Sequence, residues 1–174
     1  MNNEMQSSLE ARKRKAQDDP QTTDELITTA LTDPDEIAAW DAVSTLHFRG
    51  TKEVFDAACQ LCASDCPQER SLGANILGQL GLPDRGIPRE SVKLLIKLLG
   101  FENDEDVLDA ICVALGHIHD SKAIPSLARL KAHPSANVRY AVVFGLLGFE
   151  DDSAIETLRD SEENSYPNIG HRLV

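Results

Sequence analysis

The chain has 174 residues, 26% of them charged, and a formal net charge of −12. That length suits one domain with a continuous core. So acidic a balance argues against a nucleic-acid binder, which needs a basic stripe to displace phosphate counterions. No apolar run approaches the ~20 residues of a membrane span, the first twenty residues carry no apolar signal core, and the four cysteines lack the spacing of a disulfide scaffold, so the expected compartment is the cytoplasm.

In chain order, residues 1–20 read as a polar N-terminal arm, either a frayed helix or disordered. Its block Arg12-Lys13-Arg14-Lys15, flanked by Glu10 and Asp18, is too short to count as a nucleic-acid patch. Thr23-Asp24-Glu25 opens a brief helix through Leu31. Asp33-Pro34-Asp35-Glu36 starts the next, with Pro at the first helical position and acids at the positive end of the dipole; it should run to about Arg49 and stop at Gly50. Thr51 caps a helix through Ala63. Pro67-Gln68-Glu69 starts one that ends at Gly81. Leu82 to Pro88 is the longest interior connection. Arg89 to Leu99 is helical and Gly100 stops it. Asp104-Glu105-Asp106 opens a helix through about Ile118, Ser121 to Ala132 follows, and Ser135 opens the last long helix, through about Phe149. Ser153 to Arg159 gives one more short helix, and residues 161–174 read as an irregular tail in which Pro167 and Gly170 prevent a helix of any length.

These elements repeat. Val107-Leu108-Asp109-Ala110, Ala114-Leu115-Gly116, Ala123-Ile124 and Leu127 return 31 residues later as Val138-Arg139-Tyr140-Ala141, Gly145-Leu146-Leu147, Ala154-Ile155 and Leu158. Self-similarity at such a period predicts stacked helix pairs, each burying its apolar side only against its neighbours. Aligning Ile37 with Glu69, Val107 and Val138 puts Trp40 beside Leu72, Ala110 and Ala141, and Leu46 beside Gly78, Gly116 and Leu147. The first unit then fits poorly, as a terminal cap would.

Val138-Arg139-Tyr140-Ala141, Ala114-Leu115-Gly116, and Glu69-Arg70 with Leu77-Gly78-Gln79-Leu80-Gly81 resemble the short bacterial HEAT-like repeats, also called phycobilisome-lyase-type HEAT repeats. The resemblance spans roughly residues 34 to 160. It implies an all-α fold, an armadillo-like α-solenoid of about four HEAT-like helix pairs in a right-handed α-α superhelix, over residues 21–160. The family includes scaffolds, regulatory partners, chromophore lyase subunits and inhibitors, so the resemblance points to architecture more than to function. Leu108 replaces the repeat arginine in the third unit, which puts an inter-repeat ion-pair ladder in doubt.

Three constellations invite a chemical reading. Cys59, Cys62 and Cys66, at spacings of three and four, would lie on one side of a helix, and three thiolates suit zinc. That side also holds Val54 or Phe55, which favours core packing by small apolar thiols. His117 and His119 flank Ile118 at a helix end and do not point the same way. The triplets Asp104-Glu105-Asp106 and Glu150-Asp151-Asp152 lack the spaced oxygens and glycine turn of a calcium loop and sit where helices begin.

The sequence therefore predicts a non-catalytic protein–protein interaction module or scaffold, with no metal, no cofactor and no catalytic residue. Its partner would be a protein, with a basic one favoured by the acid excess: residues 101–164 carry 13 acids against 5 bases. The residues expected to meet it on the second helices are Asp41, Gln68, Asn75, Gln79, Asp106, Asp109, Asn137 and Arg139. Two other readings stand beside this one: a subunit of a bilin lyase-like enzyme, and an acidic inhibitor or immunity protein for a basic toxin or nuclease. Finally, Tyr140, Phe144 and Leu147 make a second apolar side on the last long helix. The tail folding back with Tyr166, Ile169 and Leu173, or self-association, or a partner should cover them.

Overall fold

A computed structural model describes residues 3–84 and 88–165, with side chains over 5–84 and 89–160. Among these, the protein is all-α. Its helices are α1 (Asn3–Asp18), α2 (Thr23–Thr32), α3 (Glu36–Arg49), α4 (Lys52–Leu61), α5 (Pro67–Gln79), α6 (Pro88–Leu99), α7 (Glu105–Ile118), α8 (Ile124–Ala128), α9 (Ala136–Leu146) and α10 (Asp152–Ser165), with a 3-10 turn Ser121–Ala123 before α8. Packing is mostly between near neighbours in sequence: α2 on α3, α4 on α5, α6 on α7, and most extensively α5 on α7 and α7 on α9. No helix among the described residues is long and apolar enough to cross a membrane.

The helix starts follow local chemistry. Asp35, Thr51 and Asp104 accept hydrogen bonds from backbone N–H groups in the first turns of α3, α4 and α7. At α2, Thr22 and Glu25 satisfy each other's backbone N–H in a capping box. Asp33-Pro34 is not the start of α3: Asp33 closes α2, and its carboxylate accepts from the N–H of Asp35, which is the true cap. Several ends also differ from expectation. α4 stops at Leu61 rather than Ala63. α5 stops at Gln79 rather than Gly81. α8 is a single short helix rather than a run to Ala132. α9 ends at Leu146, with Gly148 at φ +84° just beyond. α10 is longer than expected and continues through Ser165, so residues 161–165 are helical rather than irregular, and the rest of the expected tail, with Tyr166, Ile169 and Leu173, lies outside the described residues.

The caps Asp35, Cys66, Asp104 and Ser135 fix the register of α3, α5, α7 and α9. Their intervals are 31, 38 and 31, so Ile37 corresponds to Gln68 and not to Glu69. With that one-residue correction the first unit fits the others. Leu46, Leu77, Leu115 and Leu146, each eleven residues past its cap, are all buried to 2% exposure or less, which removes each from water at a gain of roughly 1.5–3 kcal/mol. Trp40 moves out of the row of buried Leu72 and Ala141 into that of Tyr140, and both are exposed.

Small residues set the helix spacing. A Cβ on Gly78 would lie 2.7 Å from Cα of Ala114, and one on Gly116 would lie 2.9 Å from Cα of Gly145. These are the same two register positions on successive helices, so α5–α7 and α7–α9 are the same joint built twice. In α3 the glycine position holds His47, buried at 4% exposure, and its ring fills the joint.

The polar N-terminal segment is α1, which lies along α3. Ala16 is buried, and Arg49 donates to the carbonyls of Ala16, Asp19 and Gln21. The basic block is used inside the molecule: Arg12 sits 5.9 Å over the Phe48 ring, Lys13 pairs with Asp84 at 2.6 Å and Lys15 with Asp41 at 3.1 Å. α1 touches α3 near Asp41, Ser44, Thr45 and Phe48, the side on which α9, by register, meets α7. It thus closes the N-terminal end of the row.

Candidate functional site

The row α3, α5, α7, α9 brings together several of the residues expected to meet a partner. Two residues past each cap stand Ile37, Gln68, Asp106 and Asn137, all exposed. Nine past the cap come Ser44, Asn75, Val113 and Phe144; five past it come Trp40, Ser71, Asp109 and Tyr140. Ile37, Trp40, Tyr140 and Phe144 are 81%, 59%, 73% and 41% exposed. The outer strip is therefore apolar at both ends and polar in the middle, where Gln68, Ser71, Asp106 and Asp109 stand.

Other expected residues are engaged elsewhere. Asp41 holds Lys15 of α1. The Oδ1 of Asn75 accepts from His47. Arg139 Nη1 donates to the carbonyls of His133 and Pro134 at 2.8 and 2.9 Å. Arg70 does the same to Ser64 and Asp65. At both positions, four residues past the cap, the arginine closes the turn that precedes its own helix. Gln79 lies at the end of α5, half-buried, and Leu147 at the end of α9, exposed. Ile37, Trp40 and Leu31 escaped the sequence reading. The one-residue slip had placed Trp40 in a core row, and the correct register would have exposed it.

Charge in the middle of the strip is one-sided. Arg70 is committed to Glu102, Nε to Oε2 at 2.7 Å and Nη2 to Oε1 at 3.0 Å, a single rung between α5 and the turn before α7. Burial alone would raise the Glu102 carboxyl. The Arg70 bonds and the N–H groups of Asp104 and Asn103 outweigh it, and the pKa falls below the ordinary value. Asp109 is pushed the other way, by burial first and then by the nearby charge of Asp106. Among the described residues no cation lies within ion-pair distance of Asp104, Asp106 or Asp109. Asp104 and Asp106 share with Leu31, Pro67, Gln68 and Leu72 the wall of an open cleft of about 390 Å³. Such a cleft has carboxylates for a cationic head and apolar sides for its methylene stem.

Cys59, Cys62 and Cys66 do not share one side of a helix, as their spacing suggested they would. Cys62 follows the last residue of α4, while Cys66 caps α5 across the intervening turn, so the two do not share a helix. Cys62 and Cys112 are buried, Cys59 is half-buried and Cys66 exposed. Burial pushes both the Cys62 and Cys112 thiols up to about 12. Among the described residues no three His, Cys, Asp or Glu side chains gather as metal ligands would. His117 meets the Phe144 ring edge-on, and His119, at φ +58°, stacks on Phe149 at 4.0 Å between ring centres. The acid triplets lie at the starts of α7 and α10.

No model of a known protein family matches the chain, and no curated protein is significantly similar to it.

Proposed function

We infer that the chain is a HEAT-like helical-repeat module, a short solenoid without chemistry of its own, and that it binds a basic protein partner along the outer strip of α3, α5, α7 and α9. The observation that carries this reading is the alignment of exposed groups at one register on successive helices, with Asp106 and Asp109, which among the described residues have no cation within ion-pair distance, at its centre and exposed Ile37 and Trp40 at its α3 end. Repeat stacks present such strips as extended binding surfaces. An aromatic anchor such as Trp40 beside a polar centre suits protein recognition. Acid without a cation attracts a partner that brings one, and steers its approach. An inhibitor of a basic protein would use the same strip.

The test is capture of partners by the parent chain and by a variant carrying Asp106→Lys and Asp109→Lys. One and the same protein should be captured by the parent, released by salt, and lost by the variant while its helix content is unchanged. Capture that ignores the charge reversal would overturn the reading.

A further inference from the structure

α9 differs from the other helices in what it turns outward. The positions at which α5 and α7 approach the next helix in the row are small: Ala74 and Gly78, then Cys112 and Gly116. By the same register α9 offers Val143 and Leu147, with exposed Tyr140 beside them and Phe144, whose ring also meets His117 of α7, and among the described residues no further helix of the row follows. Tyr140 and Leu147 are 73% and 57% exposed. Tyr140, Phe144 and Leu147, at spacings of four and three, form one apolar stripe.

Charge indicates what covers it. In a chain of net charge −12, every other described helix of eight or more residues carries at least one Asp or Glu, and α9 carries none. Its one charged group, Arg139, is folded onto the carbonyls of His133 and Pro134. A basic partner finds nothing ionic to hold here. Two copies of this acidic chain repel each other over much of their surface, and α9 brings no acid of its own to a contact with its copy. A head-to-tail contact would have to seat α9 at the end of the row where α1 already lies against Asp41, Ser44, Thr45 and Phe48 of α3. We propose that α9 is the contact of a two-fold homodimer, Phe144 near the axis and Tyr140 opposite Leu147 of the second copy. A closed two-fold contact is self-complementary, and the stripe, centred between residues 143 and 144, permits that antiparallel match. One helix stripe falls at the small end of specific interfaces, which belongs to a weak pair with a dissociation constant on the order of micromolar.

Sedimentation of the full chain over a wide concentration range, at low and high salt, tests this. The parent should show a monomer–dimer equilibrium that tightens as salt rises, because screening relieves like-charge repulsion. Tyr140→Glu and Phe144→Glu should each weaken it by roughly tenfold or more. Tyr140 is exposed enough that its variant keeps the fold, which circular dichroism checks where Phe144→Glu does not. With Cys66→Ser as background, Phe144→Cys should give a covalent dimer on oxidation. The proposal is overturned by a chain monomeric at every concentration, including one whose residues 166–174 cross-link to position 140. It is also overturned by a dimer that loosens in salt, or by one indifferent to Tyr140→Glu.

Discussion

Nε2 of His47 on α3 lies 3.2 Å from the carbonyl oxygen and 3.0 Å from Oδ1 of Asn75 on α5. Both partners are acceptors, so Nε2 carries the proton and donates to them. The same register position is glycine in α5 and α7. The imidazole therefore occupies the volume that lets the later helices touch, and the hydrogen bonds that join α3 to α5 lie near their C-terminal ends: the His47–Asn75 pair and the bond from Gly81 N–H to the His47 carbonyl at 2.8 Å. The N-terminal half of α3, with Ile37 and Trp40, stays exposed.

Replacing His47 by alanine should leave a void and an unpaired acceptor on Asn75. The expected loss is about 1–3 kcal/mol, read as a lower urea midpoint with unchanged slope. His47→Asn, which retains a donor, should recover part of it. A midpoint equal to the parent's for both variants would show that the ring does not tie α3 to α5.

Gly78→Ala and Gly116→Ala test the repeated joint. Helix propensity alone favours alanine by about 1 kcal/mol. Here the added methyl would meet helix backbone at 2.7 and 2.9 Å, so the net result should be destabilisation of about 1–3 kcal/mol. The two variants should behave alike because the two joints are alike. If either is more stable than the parent, the close approach at that joint is wrong.

What the sequence made legible was mostly local. Capping residues such as Thr51 and Asp104 announce their helices, and the 31-residue return of Val107 through Leu127 aligns α7 with α9 correctly. Glu69-Arg70 and Val138-Arg139 align the later helices correctly, and the first unit slips because α3 has no such pair. Arg70 and Arg139 do share a register position, and the repeated contact with turn carbonyls explains why. Ala38-Ala39, where α3 would show the pair, carries no such mark. Only the cap at Asp35, two residues later than the Asp33 that Pro34 suggested, fixes it. α1 was illegible for another reason. Its polar composition gives little apolar signal, and it is held by Ala16, by Arg12 over Phe48 and by ion pairs to Asp41 and Asp84, which depend on residues far along the chain. The candidate strip was half visible. Gln68, Asp106 and Asn137 follow from periodicity, whereas Arg139 looks equally free in sequence and is bound to its own turn.

Glu102 should give stability a pH dependence. Its carboxyl is depressed in the folded chain, so the contribution is fully present above the unfolded value, about 4.3, and is lost as pH falls through the lower folded value. Glu102→Gln removes the charge and keeps the shape. It should cost about 1–2 kcal/mol at neutral pH and make the acid limb of the stability curve shallower. An unchanged acid limb would assign that dependence to other carboxylates.

The four thiols should separate by rate. Cys66 is exposed at the cap of α5, Cys59 is half-buried, and Cys62 and Cys112 are buried with thiols near 12. The thiolate is the reacting form, so at mildly alkaline pH the buried pair is protonated as well as inaccessible. The Cys59 thiol is raised too, by burial and then by Asp56. A disulfide reagent added to the native chain should therefore modify Cys66 first and Cys59 slowly. Cys62 and Cys112 should react only as fast as the chain opens. Cys66→Ser should delete the fast phase and leave the others, and denaturant should merge all the phases into one. Zinc added beforehand should leave the order unchanged, because Cys66 sits across a turn from Cys62 and on a different helix. Protection of Cys59, Cys62 and Cys66 together by zinc would show that the chain draws these sulfurs into one site.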